Sequence, residues 1–198
     1  MTVVGDIAQA TGAWAHDDWE GILCHLPDRR PPVRHELTVG YRIPGPLMDV
    51  AARVLAVAAP DLSPPNSVRF TGDPPRFVSV GESLDCLAEI VAEELRVVGA
   101  GNLAVIVAGS QVADVEAVLE AAGMVFGRPT RRGLDEQVAV VPVGLVKGLE
   151  VDAAVVVEPA RIIREQDQGV RALYVALTRA TKRVAVVHAE PLPDLLKP

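Results

Sequence analysis

Five residues in this chain have the types that hold a nucleotide. Arg42, Lys147 and Arg179 supply positive charge for phosphate oxygens, Glu150 a carboxylate for a ribose hydroxyl, and Tyr41 a ring for a base. Lys147 and Glu150 stand in residues 143–152, VGLVKGLEVD, and Arg179 in residues 173–180, LYVALTRA. Taken singly, the three cations read as solvated surface charges, Tyr41 and Tyr174 as core or rim aromatics, and Glu150 as a carboxylate at a helix start. Their joint placement, each beside an apolar run, is what points to a nucleotide.

Those runs alternate between strand and helix character. Apolar, mostly β-branched stretches at 2–6, 35–39, 77–80, 103–108, 138–143, 153–157 and 183–188 are expected as strands. Helices are expected at 83–98, 112–122 and 168–179, and in a short piece through residue 26 that Asp17 or Asp18 can cap. Another starts at Pro44 and Pro46 and runs to Ala58, with Leu47, Val50, Ala51, Val54, Leu55 and Ala58 on one face. The Pro- and Arg-rich stretch to residue 32 is the candidate boundary, and 61–75 reads as a surface loop. Strands alternating with helices imply an α/β fold, a mainly parallel sheet flanked by helices. Ligands of such sheets gather at the carboxyl ends of strands. Asp6 and Gln9 follow one expected strand, Tyr41 and Arg42 another, and Lys147 and Glu150 a third, so convergence on that edge is expected.

Bulk properties narrow the partners. A net charge of −7 opposes a free-standing nucleic-acid binder but leaves room for a module that lends a contact or two to a larger protein. No run reaches the roughly 18 uncharged residues of a membrane span, and the opening MTVVGDIAQ has neither the charged nor the apolar region of a secretory signal. A cytoplasmic protein with no membrane partner is expected. Cys24 and Cys86 are expected as buried, unpaired thiols, and the four histidines lack metal-ligand spacing, so no metal site is expected.

Some motifs fail on context. Residues 99–104, GAGNLA, fit G-x-G-x-x-A but precede a strand instead of following one. The sequence contains no G-x-x-x-x-G-K-[ST] and no G-x-S-x-G, hence no phosphate-cradling loop of its own.

In these residues and the segments around them, the chain resembles the C-terminal motor half of a superfamily 1 helicase of the UvrD/Rep type. VGDIAQ at 4–9, with Trp14 beyond it, is similar to motif III, and LTVGYR at 37–42 to motif IV. VKGLEVD at 146–152 matches motif V and LYVALTRA at 173–180 matches motif VI. The wording TVVGDIAQATGAW, VGYRIPGPLMDVAARVL and VPVGLVKGLEVDAAVVVEP is most similar to the HelD/HelR-type ATPases that recycle RNA polymerase.

The resemblance implies a RecA-like (P-loop NTPase-type) second lobe without the inserted accessory domain, since few residues separate Phe126 from the strand at Val138. It implies a remnant of the first motor lobe at 1–32, the second lobe at 33–190 and a tail at 191–198. Arg42 and Arg179 would be arginine fingers and Gln9 a γ-phosphate sensor, the three catalytic positions. Tyr41 would stack on adenine, Glu150 accept from ribose, and Gly148 and Lys147 lie against the nucleotide, while Trp14 would stack on a single-stranded base. The cofactor implied is ATP with Mg2+, held by a partner lobe bearing Walker A and B; RNA polymerase and single-stranded nucleic acid are the further implied partners. Ala15 stands where unwinding members often carry arginine, which weakens the nucleic-acid grip. The chain is expected to be a truncated or separately encoded motor half with negligible hydrolysis alone. The competing expectation is a non-catalytic interaction module that docks on RNA polymerase or another partner.

Overall fold

The computed structural model describes all residues except 13, 17, 28–30, 82, 83, 130–135 and 198. The alternative cap Asp17, the expected helix start at Ser83, the middle of the Pro/Arg stretch and part of the connection before β5 therefore lie outside the described residues. In chain order the elements are α1 (Trp19–Leu23), β1 (Val39–Gly40), α2 (Gly45–Ala58), β2 (Asn66–Ser67), β3 (Arg76–Ser79), α3 (Leu87–Val98), β4 (Leu103–Val107), α4 (Val112–Ala121), β5 (Val138–Pro142), β6 (Val151–Val157), α5 (Pro159–Glu165), α6 (Gly169–Leu177) and β7 (Ala180–His188).

Five strands form one sheet in the order β3-β7-β6-β4-β5, and every neighbouring pair is parallel. Side chains alternate across a strand, and here both faces are covered. Ala104, Ile106, Val141, Ala154, Val156, Val184 and Val186 pack with α2 and α6 on one side. Leu103, Val105, Val107, Val140, Val155, Ala185 and Val187 pack with α3 and α4 on the other. Burial on both faces explains why these strands are continuous Val/Ala/Ile runs instead of alternating ones.

α2 begins where Pro44 and Pro46 need no intrahelical donor, and it buries Leu47, Val50, Ala51, Val54 and Leu55 as its spacing predicts. α6 buries every residue except Val170, which is half-buried. It can start tight against α5 because residue 169 is glycine: a Cβ there would collide with the Ile163 carbonyl.

Several expectations are corrected. Residues 2–6 form no strand and are exposed, having no neighbouring strand to bond; Asp6 instead caps the 3-10 turn Ile7–Gln9. Strand 35–39 shrinks to β1, whose partner β2 lies inside the stretch expected to be a plain surface loop. α5 was not foreseen, while α6 ends at Leu177 and β7 begins at Ala180, earlier than predicted. Cys24 is exposed, because α1 buries none of its residues, and Cys86, at the cap of α3, is half-buried. Asp18 does cap α1, accepting from the Gly21 amide at 2.7 Å. Among the described residues no helix is long and apolar enough to cross a membrane.

Candidate nucleotide site

The register of β6 on β7 pairs Val151 with Ala180, so the residues just before them, Glu150 and Arg179, lie together at the amino ends of these strands. This corrects the expected edge. The connection 143–150 leaves the carboxyl end of β5 through the 3-10 turn Val143–Leu145, is anchored by buried Val143 and Val146, and returns to the amino end of β6. Glu150 is delivered by the end of that return.

Arg179 is 3% exposed and each of its three guanidinium nitrogens donates a hydrogen bond. Its Nε donates to the Val175 carbonyl at 3.0 Å, Nη1 to the Leu149 carbonyl at 3.4 Å, and Nη2 to Gln9 Oε1 at 3.1 Å. The carbonyl-rich end of α6 thus receives a cation, as a helix carboxyl terminus favours. Burial pulls the Arg179 guanidinium below its ordinary range, and the nearby Arg42 charge adds to this.

Gln9 is oriented from its other end. Its Nε2 donates to Asp6 Oδ2 at 2.6 Å, while Asp6 Oδ1 accepts from the Ala8 amide at 2.9 Å. A carboxylate facing the NH2 and a guanidinium facing the oxygen permit only one amide orientation. Ile7 and Ala8 are buried, and the turn they form packs on α6. This part of the expected first-lobe remnant at 1–32 is therefore docked on α6. Beneath it, burial and the Asp6 charge push the Tyr174 hydroxyl to about 12.

Arg42 completes the group from a third direction. Its Nη2 donates to the Thr178 carbonyl at 3.3 Å and Nη1 lies 3.8 Å from Glu150 Oε2, while Nε is buried without a partner. Arg69 fixes the backbone here, donating from Nη1 to the Arg42 carbonyl at 2.5 Å and the Thr181 carbonyl at 2.7 Å. Ser67 donates to the Ile43 carbonyl at 2.6 Å. Neither positioning residue had a sequence signal, since both sit in the Pro-rich connection.

Gln9, Arg42, Glu150 and Arg179 are therefore brought together. Tyr41, Lys147 and Trp14 are not bonded to them among the described residues. Tyr41 is 78% exposed with its ring free, and Trp14 is 96% exposed. Lys147 is exposed and shares a groove with Asp6, Trp14 and Trp19. Gly148 has φ +87°, a conformation glycine adopts without strain. The arrangement offers two guanidinia, a carboxylate and an open aromatic face. Those features fit a nucleoside triphosphate: anionic oxygens for the cations, hydroxyls for Glu150 and a base for Tyr41.

Residues 137–187, from β5 into β7, match the family model for the UvrD-like helicase C-terminal domain. The C-terminal domain of a possible DNA helicase from Lactobacillus plantarum is similar, at 26% identity and a TM-score of 0.58, over 79% of this chain and 92% of that one. Arterivirus nonstructural protein 10, a helicase solved with DNA, aligns at 13% identity and a TM-score of 0.42, over 72% of this chain and 30% of that one. The helicase domain of Pyrococcus furiosus Hef aligns at 21% identity and a TM-score of 0.39, over 55% and 26%. No curated protein matches this chain. The parallel five-stranded sheet flanked by helices is the architecture of a RecA-like helicase C-terminal domain.

Proposed function

We propose that this chain is the second motor lobe of an ATP-driven helicase- or translocase-like machine. The observation that carries the reading is the connected group Gln9–Arg179 and Arg42–Glu150, formed by residues from three of the helicase-like motifs meeting a fourth at the end of α6. In this reading Mg-ATP is held by a first lobe bearing Walker A and B, which supplies the metal and the phosphate-cradling loop. Arg42 presents guanidinium N–H groups to the phosphates and stabilises charge that develops there. Arg179, anchored on the α6 carbonyls and on Gln9, holds a second positive charge beside it. Gln9, bonded to that guanidinium, ties the phosphate end to the segment at 6–9. Tyr41 offers its exposed ring to adenine and Glu150 its carboxylate to ribose.

The narrower HelD/HelR direction, an ATPase that recycles RNA polymerase, rests on the sequence wording of residues 2–14, 39–55 and 141–159. Lys147 and Trp14, which share one groove, supply its candidate contacts to nucleotide and single-stranded nucleic acid.

Fusing a Walker-bearing first lobe ahead of this chain tests the reading. ATP hydrolysis is expected from the fusion, and Arg42→Ala is expected to lower its rate by about 10³-fold or more. Undiminished hydrolysis in Arg42→Ala overturns the finger assignment. Binding to RNA polymerase that ignores both nucleotide and Arg42→Ala would favour the interaction module instead.

A further inference from the structure

The carboxyl edge of the sheet holds a second concavity, on the side away from Arg42 and Arg179. β4, β6 and β7 end there, around a pocket of about 360 Å³. Leu84 and Val118 give it apolar wall, while Asp114, Glu158 and Glu190 set three carboxylates against the single guanidinium of Arg161. Gln111 also lines it, 4% exposed, and its Oε1 is buried with no hydrogen-bond partner.

The surrounding structure is built, not incidental. Glu158 adopts left-handed backbone at φ 48°, a conformation a non-glycine residue keeps only where its surroundings fix it. Its carboxylate accepts from the Ala189 amide at 2.6 Å and the Glu190 amide at 3.3 Å, which locks the turn after β7. The nearby guanidinia are already matched. Arg164 forks onto Glu190 at 2.6 and 2.9 Å, and Arg161 lies 3.5 Å from Glu165, which also accepts from the Ser110 hydroxyl at 2.5 Å. An unmatched acceptor inside an acidic pocket calls for a donor that brings positive charge. A phosphate-bearing ligand would meet the carboxylates as like charges.

We propose that this pocket receives the cationic head of a basic side chain on a protein partner, which donates to Gln111 Oε1 once a turn of the amide brings that oxygen into the pocket, while Asp114 and Glu158 balance its charge. The site stands apart from the nucleotide reading and does not depend on it.

Titration of the intact chain with N-acetylarginine methylamide, followed by backbone amide NMR of residues 110–114 and 189–190, tests it. Saturable shifts confined to those residues are expected, with a dissociation constant on the order of 1 mM. Gln111→Leu, close in volume, and Asp114→Asn are each expected to weaken binding about tenfold, one carbonyl or one charge being lost. Spectra unchanged elsewhere would show that both variants remain folded. Absence of shifts, binding by both variants as tight as that of the parent, or the same shifts raised by a 12-nucleotide oligothymidine in place of the arginine probe would overturn the proposal.

Discussion

The two edges of the sheet carry opposite chemistry. At the amino edge, guanidinia point at carbonyls: Arg179 onto Val175 and Leu149, Arg42 onto Thr178, and Arg69 onto Arg42 and Thr181. At the carboxyl edge, a carboxylate points at amides, Glu158 onto Ala189 and Glu190. In many parallel α/β sheets an anion is met at the carboxyl edge by helix amino termini. Here that edge is acidic and its arginines are matched, whereas the amino edge gathers Arg42, Arg69 and Arg179 and holds the unpartnered Arg42 Nε. The lesson is that polarity follows which backbone groups an edge leaves over: the end of α6 leaves carbonyls and recruits arginine, whereas the turn after β7 leaves amides and recruits glutamate.

The sharpest way to break this contrast is to remove its two arginines in turn. Arg179→Ala strips a buried cation from four acceptors and leaves a gap beside α6. Its expected cost is about 2–3 kcal/mol of stability, since bonds to charged groups are worth more than neutral ones. Arg42 has a side chain 37% exposed, and its pair with Glu150 is long and solvated, so Arg42→Ala is expected to cost under about 1 kcal/mol. Urea unfolding of both variants measures the difference. Equal losses would mean that the two guanidinia share one structural role. If the difference holds, Arg42 is the variant that reports chemistry with little confounding by folding.

Asp152, two residues past Glu150, gives a smaller effect at the same edge. Its Oδ1 pairs with Lys182 Nζ at 2.7 Å and Oδ2 accepts from the Asn102 amide at 3.1 Å. The Lys182 bond, aided by the Asn102 amide and opposed by partial burial, lowers its titration below the usual carboxylate range. A carboxyl held lower in the folded state than in the unfolded chain contributes stability above the unfolded value of about 3.9. That contribution fades as pH falls through the lower folded value. Asp152→Asn is expected to flatten this part of the acid limb, with a change under about 1 kcal/mol at pH 7. Thermal midpoints compared at pH 7 and pH 3 would show it; equal differences between the two proteins at both pH values would remove Asp152 from the acid response.

Much of this architecture was legible because long apolar runs leave few options. LAVIV, VAVVP and VDAAVVV can be strands buried on both faces, and the spacing of Leu47, Val50, Ala51, Val54 and Leu55 suits a helix with one buried face. The meeting of Gln9, Arg42, Glu150 and Arg179 was expected, but not the edge on which it occurs. That edge depends on whether residues 143–150 stop at the end of β5 or cross back to the start of β6, which apolar periodicity does not encode. Residues 2–6 look like a strand but form none, because local β propensity needs a paired neighbour to be realised. α5 escaped notice because PARIIRE is only seven residues and too short for a clear period. Arg69 gave no signal, since its role is set by carbonyls of residues 42 and 181, distant in sequence.

Gln111→Leu tests the opposite edge and should show the smallest effect, with a sign that is informative. Gln111 is 4% exposed and its Oε1 has no partner, so the folded chain carries a desolvated acceptor that unfolding returns to water. Replacing the amide by an aliphatic group of similar size removes that penalty and adds contact with Val118 and Leu84, which line the same pocket. The expected outcome is a variant as stable as the parent or more stable by about 1 kcal/mol, read from the urea midpoint at constant slope. Hydrolysis by the fusion with a Walker-bearing lobe should not change, because Gln111 sits at the acidic edge while Arg42 and Arg179 occupy the other. A loss of stability near 2 kcal/mol would mean that the amide is needed for folding. A loss of hydrolysis at full stability would mean that the two edges are coupled through β4 and β6.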